Sequence, residues 1–227
     1  MKASQIAPTV ALIATVGLLI AAAPPVGGPP VGGPPVGNLG PHLVKYETWP
    51  APNAVLRSGT LSFTGHSTVG DFVGTTTAVS GSVTGNAELA NARGWVEASV
   101  ATLSTGNGHR DSDLRATMDV AKYPTMRFEL AGVTLESPAT PSGTVTGALR
   151  GALTIHGVTR DVAIPATLIA AADTIDVSGA FPVDLADYKV GGLTRLFGTL
   201  RVRRNIEVRF RVRFEATPHT PTSGFSQ

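Results

Sequence analysis

The stretch RVRRNIEVRFRVRF, residues 201–214, contains six arginines. From Ile206 to Phe214 its apolar and charged residues alternate without interruption. Successive side chains of a β-strand point to opposite faces, so this alternation predicts a strand with one buried face and one face in water. A disordered basic arm would have no reason to place an apolar residue at every second position. We therefore interpret the arginines as the solvated face of a strand, in preference to a nucleic-acid arm or a membrane-binding patch.

The composition of the whole chain favours a β-rich protein with many turns. Its 227 residues carry a formal charge of +2 and include 26 glycines, whereas runs of helix-favouring residues are scarce. The nearly balanced charge is weak support for a polyanionic partner, and no nucleic-acid ligand is expected. The chain has no cysteine, which excludes disulfides, thiolate zinc sites and a lipidated N-terminal cysteine.

The N-terminus has the layout of a secretory signal, which we predict for residues 1–23. Lys2 precedes an apolar run at residues 10–23 that ends in small residues. This run is shorter than the roughly twenty residues that a membrane-spanning helix needs. We expect cleavage near Ala23. Retention as an N-terminal anchor is the alternative, because Pro24 follows the obvious cleavage site. Both interpretations place the rest of the chain outside the cytoplasmic membrane, in the periplasm or secreted.

Two segments without a predicted fold flank a single domain. PPVGGPPVGGPPVG begins at Pro24 and repeats a Pro- and Gly-rich unit. Proline removes backbone donors and glycine adds chain entropy, so we interpret residues 24–42 as a linker. The C-terminal tail, residues 217–227, is predicted to be unstructured. The domain is expected to span residues 43–216.

The alternation of the C-terminal stretch recurs along this domain. Clear examples are TLSFTGH at residues 60–66, MRFEL at residues 126–130 and TIDVSGAFPVDL at residues 174–185. Counting all such segments gives eight or nine short strands at regular spacing. An all-β chain of this kind forms either a closed barrel or a sandwich, and the spacing alone leaves both open.

One of the predicted strands is less regular than the others. It is GWVEASVATL, residues 94–103. Here Val96, Ala98 and Val100 share one parity and are predicted to face the interior. Trp95 and Leu103 have the other parity, so a continuous strand would place them on the opposite face.

One segment breaks the alternation. HRDSDLRATMDVAKYP, residues 109–124, places Leu114 and Met118 four residues apart, on one face of a predicted helix of about ten residues. Asp111 and Ser112 are the expected capping residues at its start, and the Tyr-Pro pair stops it. A short amphipathic helix between strands has the right size to cover an open end of a barrel.

The sequence carries no motif for catalysis. The five histidines show no metal-ligand spacing, and HExxH, the nucleophile elbow and phosphate-binding loops are absent. His66 and Ser67 are neighbours on a predicted strand and therefore point to opposite faces. His109, Asp111 and Asp113 are interpreted as capping and loop residues in a turn before the helix. We predict no catalytic residue and no metal site.

Four further stretches, taken in order, point to a known family. FTGHSTVGDFVGTTTAVSGSVTG reads as two paired strands, and VEASVATLSTGNGHRDSDLRATMDVAKYPTMRFEL as a strand, an Arg-Asp pair that opens a helix, and a Tyr-Pro that leads into the next strand. VTGALRGALTIHGVTRDVAIPATLI reads as a hairpin, and GAFPVDLADYKVGG as a strand with its turn. In this order they resemble the YceI-like family of periplasmic polyisoprenoid-binding proteins, over residues 43–216.

The resemblance implies an elongated, antiparallel, lipocalin-like barrel of eight or nine strands with one short helix inserted. It also implies that the interior binds a long isoprenoid lipid, either a polyprenyl lipid or an isoprenoid quinone, to carry or store it. No cofactor and no enzymatic activity are implied, and a transient membrane contact is a further expectation. The candidate ligand-binding residues are Phe63, Val100, Leu114, Met118, Met126, Phe128, Leu153, Ile155, Phe181 and Phe210.

Two other functions stay open at the level of the sequence. An all-β interaction or adhesion module with a filled core would show the same alternation, and the void volume inside the barrel distinguishes it from a lipid carrier. A hydrolase would use His66, His109 and the nearby carboxylates, although no motif supports it. A loss of activity on His109→Ala would favour that third interpretation.

Overall fold

Each segment of alternating polarity contains a β-strand. The structure is a computed structural model that describes residues 53–68, 70–85, 89–136, 143–171, 173–191 and 202–217, all within the compact unit Val44–Gln227. The predicted signal and linker, and residues 218–227 of the predicted tail, lie outside the described residues. None of the helices in the described part has the length and apolar character that crossing a membrane requires.

The described strands are β1 (Asn53–Ser67), β2 (Gly70–Thr76), β3 (Val79–Thr84), β4 (Arg93–Ser99), β5 (Thr125–Leu135), β6 (Thr144–Ile155), β7 (Val158–Ala170), β8 (Thr174–Asp184) and β9 (Asn205–Ala216), and the α-helix is α1 (Gly108–Thr117).

These strands close into an antiparallel barrel because β1 pairs on both of its edges. One edge pairs with β9, and the other pairs first with β3 and then with β2. From β3 to β9 the sheet follows the order of the sequence. Leu61 lies opposite Thr76, and Asn53 lies opposite Thr84. β2 and β3 therefore follow one another along the same edge of β1, with an interruption at residues 77 and 78. The predicted all-β barrel is confirmed: among the described residues eight strands form the ring, and β2 is the extra one.

The free edge of β2 borders the helix. In the described part of the chain β2 pairs with β1, and its other edge makes one isolated bridge, between Thr75 and Ser104. β4 ends at Ser99, where the backbone N–H donates to the carbonyl of Ala78 at 3.0 Å. The place beside β2 is therefore taken by residues 100–107 and by α1. This arrangement positions the helix at the end of the barrel where the ring of strands is interrupted.

The helix begins earlier than predicted, so the predicted cap was wrong. The N-cap is Asn107, whose side chain accepts a hydrogen bond from the backbone N–H of Arg110 at 3.1 Å. Asparagine is as good a cap as aspartate, and its position one turn upstream leaves Asp111 and Asp113 inside the helix instead of in a turn before it. The helix ends at Thr117, before the Tyr-Pro pair that was predicted to stop it, because the backbone of Asp119 is left-handed with φ of 44°.

The irregular strand β4 also differs from its prediction. Val96 and Ala98 face the interior as expected, but the strand stops at Ser99. Beyond that point the alternation no longer applies, and a turn returns Leu103 to the interior, where it is 4% exposed. Leu103 therefore does not share the outer face with Trp95, whose ring lies 4.5 Å from the guanidinium of Arg127.

The apolar strand faces meet in two clusters inside the barrel. The first is centred on Leu168, Ile175 and Phe214, which are 4%, 2% and 3% exposed. The second includes Met118 at the end of α1 and Leu153 on β6. Each cluster is built from the inward parity of several strands, which is the pattern that one buried face per strand predicts.

The arginine-rich stretch forms β9 and is confirmed as a strand with a solvated outer face. Arg209, Arg211 and Arg213 are all exposed, while the residues between them point inward. Arg213 donates two hydrogen bonds of 2.7 and 2.8 Å to the carboxylate of Asp176 on β8, which lowers the pKa of that carboxyl. Exposed pairs of this kind contribute little stability, because water and salt screen the charges.

We expect that replacing Arg209, Arg211 and Arg213 by Gln leaves the fold, the bound ligand and the affinity for anionic vesicles unchanged. The physical reason is that these side chains lie in water and neutralise carboxylates of the same sheet. Vesicle co-sedimentation at low and high salt measures the effect. The triple Lys variant is the control because it keeps the charge. Vesicle binding at low salt that is lost with Gln but kept with Lys would contradict the interpretation of a solvated face.

Candidate functional site

The barrel encloses a cavity. Its volume is about 260 Å³. By this measure a single water needs about 10–15 Å³, so the cavity has room for on the order of twenty waters. Ordinary protein interiors contain few voids larger than one water. The interior is therefore not the filled core that an interaction module of this size would have.

The walls of the cavity are the inward faces of the strands, and they are almost entirely apolar. β5 contributes Met126 and Phe128, and β6 contributes Leu153 and Ile155. Residues of both interior clusters border the cavity. Further apolar lining residues are Leu61, Val79, Val83, Val96, Ala98, Leu103, Leu130, Val133, Leu149, Ile164, Leu168, Val177, Val183, Val208 and Val212.

Nine of the ten residues predicted to contact a ligand line this cavity. The exception is Val100, which is fully buried in the second cluster. Its backbone N–H donates to the carbonyl of Pro124 at 2.9 Å, just after the end of β4, and at this turn the side chain packs into the cluster beside the cavity. Ligand contact by the other nine stays a prediction. They are Phe63, Leu114, Met118, Met126, Phe128, Leu153, Ile155, Phe181 and Phe210.

The predicted set of ligand-contacting residues omitted part of the cavity wall and the polar residues of α1 that line the cavity. Ile164, Leu168 and Val177 have the inward parity, so the alternation that selected Leu153 could also have selected them. No comparable signal marks Leu103, because it lies beyond the end of a strand, where parity carries no information.

Two aromatic rings of the wall lie over glycines of the neighbouring strand. Phe63 of β1 is paired with Gly74 of β2, and Phe210 of β9 with Gly179 of β8. A Cβ atom on Gly74 would collide with the ring of Phe63, and one on Gly179 would lie 2.8 Å from the ring of Phe210. Because the glycines have no side chain, both rings can lie against the sheet and occupy less of the cavity.

The helix α1 turns one continuous face toward the cavity. The residues on it are spaced by three and four positions, which is the spacing of neighbours on one helix face. Leu114 and Met118 supply its apolar part, and their role as a lid stays a prediction. Arg110, Asp113 and Thr117 supply a polar part.

A buried carboxylate fastens the segment before the helix. Asp111 is 7% exposed and accepts hydrogen bonds from the hydroxyl of Ser104 at 3.1 Å, from the backbone N–H of Thr105 at 2.8 Å and from the Thr105 hydroxyl. These bonds, led by the one from the Thr105 hydroxyl, lower the pKa of Asp111 although burial opposes the shift. Arg110 also contacts Thr105, because its Nε donates a hydrogen bond of 2.9 Å to the Thr105 hydroxyl. The helix is thereby held at a defined position beside β2.

Nearly the whole of the described barrel matches a known family domain. Residues 55–214 match the family model of the YceI-like domain. This chain belongs to the YceI-like family. The resemblance inferred from the sequence is confirmed, and no curated protein matches the sequence.

Solved structures share the fold of this YceI-like chain. A polyisoprenoid-binding domain from Saccharophagus degradans, implicated in plant cell wall breakdown, has a TM-score of 0.61 at 16% identity, covering 74% of this chain and 99% of that one. BcnA from Burkholderia cenocepacia has a TM-score of 0.56 at 18% identity, covering 68% of this chain and 95% of that one. At these identities the likeness supports the fold alone.

His66 and Ser67, which were considered as a possible catalytic pair, have structural partners in the YceI-like barrel. Nδ1 of His66 lies 2.8 Å from a carboxylate oxygen of Asp71, which is its partner across the hairpin of β1 and β2. The hydroxyl of Ser67 donates to the carbonyl of Gly70 at 2.6 Å in the same hairpin. His109 is exposed on α1. Within the described ranges no group of three or more His, Cys, Asp or Glu side chains could hold a metal ion.

Proposed function

We propose that this YceI-like protein binds a long-chain apolar lipid inside its barrel and carries or stores it without catalysing a reaction. The observation that carries the proposal is the apolar cavity under helix α1. The similar fold of a polyisoprenoid-binding domain supports the isoprenoid class, with an isoprenoid quinone or a polyprenyl lipid as the ligand. The predicted secretory signal supports a location outside the cytoplasmic membrane.

Hydrophobic burial alone is sufficient for this function. Burying one five-carbon isoprene unit contributes about 3–4 kcal/mol before costs, at about 0.8 kcal/mol per carbon. Ordering the flexible chain offsets much of that gain. Several units together still give tight binding without strong polar contacts, which fits walls that are almost entirely apolar.

Mass spectrometry of an organic extract tests the proposal directly. The protein is purified without detergent and extracted, and the extract is compared with one from an unrelated exported protein of the same host. A prenylated lipid at near-stoichiometric yield supports the proposal. An extract without apolar ligand, together with no uptake of an added isoprenoid quinone, contradicts it.

We expect Met118→Ala to speed ligand release while the protein stays folded. Met118 is 8% exposed and borders the cavity at the end of α1, so the smaller side chain opens the lid. The stability cost is about 2 kcal/mol, at the low end for a buried methionine, because one side of Met118 faces the cavity. Stopped-flow transfer of a fluorescent isoprenoid to acceptor vesicles measures the rate.

His109→Ala is the matched control for the lid. It shortens an exposed side chain of the same helix that does not line the cavity. We expect its release rate to equal that of the unmodified protein. Equal rates for all three proteins would mean that α1 does not gate the cavity.

A further inference from the structure

The polar side of the helix face stands out against the otherwise apolar cavity. Arg110, Asp113 and Thr117 are spaced so that all three point to the same side of α1, and all three border the cavity. A further charged residue at the cavity, Arg127, is held from outside by Glu129 at 3.0 Å and by the ring of Trp95. Apart from Arg127 and Thr60 of β1, the charged and hydroxyl-bearing residues that line the cavity in the described part of the chain lie on the helix.

Asp113 carries an oxygen that lacks a partner. Its Oδ2 atom is buried and, within the described residues, is the one buried side-chain nitrogen or oxygen that makes no hydrogen bond. The great majority of buried polar atoms in proteins have a hydrogen-bond partner, so each exception requires an explanation. An acceptor held at the wall of a ligand cavity is explained if a ligand supplies the donor.

Arg110 is engaged by the protein itself. Its Nε donates to the Thr105 hydroxyl at 2.9 Å and its Nη2 to the Thr105 carbonyl at 3.2 Å. Its guanidinium also lies 4.5 Å from the centroid of the Phe72 ring. These contacts fix Arg110 beside β2, whereas the free Oδ2 of Asp113 remains for a ligand.

We infer that Asp113 selects the head group of the lipid, and that this head group is neutral and donates a hydrogen bond, as a polyprenyl alcohol or a quinol does. The inference rests on the proposed function, since it requires an isoprenoid chain in the cavity. An ionised carboxylate can only accept hydrogen bonds, so an O–H donor complements it. A quinone or an ether offers only acceptors, and a phosphate would bring negative charge next to the carboxylate.

The experiment compares a polyprenyl alcohol with its methyl ether of equal chain length, and with the corresponding monophosphate. We expect the full-length protein to prefer the alcohol to the ether by roughly ten- to a hundredfold, the usual contribution of a hydrogen bond to a charged group. In Asp113→Leu this preference disappears, while the affinity for the ether is unchanged or higher. Ser112→Leu, an equally apolar change at an exposed position of the same helix, keeps the preference.

Each result decides between defined alternatives. Equal affinity of the unmodified protein for alcohol and ether overturns the inference and leaves the proposed function in place. Tighter binding of the monophosphate than of the alcohol also overturns it and assigns the head group to Arg110. If neither these three ligands nor an isoprenoid quinone binds, the proposed function itself fails. Because the first comparison uses the unmodified protein, it holds even if Asp113→Leu does not fold.

Discussion

Ala98→Trp is expected to abolish lipid binding and to leave the barrel folded. Ala98 is 5% exposed, lies on β4 opposite Met126 of β5 and Val79 of β3, and borders the cavity. An indole ring at this position occupies space that the lipid chain needs. We expect the affinity for an isoprenoid quinone to fall by roughly a hundredfold or more, since the loss of two isoprene contacts already exceeds that factor.

The same substitution separates a cavity from a filled core. In a filled core, a side chain enlarged this much forces its neighbours apart and costs about 1–3 kcal/mol or more. In a cavity, the ring fills empty space, so the free energy of unfolding is unchanged or increases. Urea denaturation and quinone titration of the same preparation measure both quantities.

Ala163→Trp is the matched control for this prediction. Ala163 is exposed on β7, so the same change adds an indole ring outside the barrel. We expect unchanged quinone affinity and unchanged stability. If Ala98→Trp binds the quinone as tightly as this control, the ligand does not occupy the cavity.

Acidification is expected to weaken the attachment of the helix through Asp111. The bonds from Ser104 and Thr105 stabilise the ionised carboxylate, so the pKa of Asp111 in the folded protein lies below its ordinary value. A carboxyl with a lowered pKa contributes stability above the pKa of the unfolded chain, about 3.9, and this contribution is lost as the pH falls through the folded-state value. The effect is therefore fully present at neutral pH and fades below about pH 4.

Asp111→Asn removes this contribution. At neutral pH we expect the variant to lose about 1–3 kcal/mol of unfolding free energy, the usual contribution of hydrogen bonds to a buried charge. Below the folded-state pKa the two proteins converge, since the carboxyl is then neutral as well. Urea denaturation at a series of pH values measures the difference.

Asp161→Asn is the control for the charge change. Asp161 is exposed on β7, and surface substitutions of this kind usually change stability by less than about 0.5 kcal/mol. A pH dependence of Asp111→Asn equal to that of this control would show that the buried carboxylate does not hold the segment before the helix.

The sequence by itself determined the strands and the side that each turns inward. The alternation from Ile206 to Phe214 placed the arginines of β9 outside and its apolar residues inside, because successive side chains of a strand point to opposite faces. The spacing of Leu114 and Met118 likewise determined which face of α1 meets the interior. These features depend on local geometry, which is the same in any fold that contains the element.

Where the regular geometry ends, the sequence was a poorer guide. Leu103 was misplaced because β4 stops at Ser99 and the alternation stops with it. The start of the helix was predicted wrongly because asparagine and aspartate are both good N-cap residues. Only the position of the loop before the helix decides that Asn107, and not Asp111, is the N-cap. Asp111 instead accepts hydrogen bonds from Ser104 and Thr105, and the sequence does not show that these residues contact it.

Only the tertiary structure decided that the barrel encloses a cavity. The alternation along a strand predicts which side chains face the interior, but it does not predict the distance between opposite walls of the barrel. That distance depends on the closure of β1 on β9 and on glycines that let rings such as Phe63 lie against the sheet. The free oxygen of Asp113 likewise has meaning only beside this cavity, because an acceptor on an exposed helix would be satisfied by water.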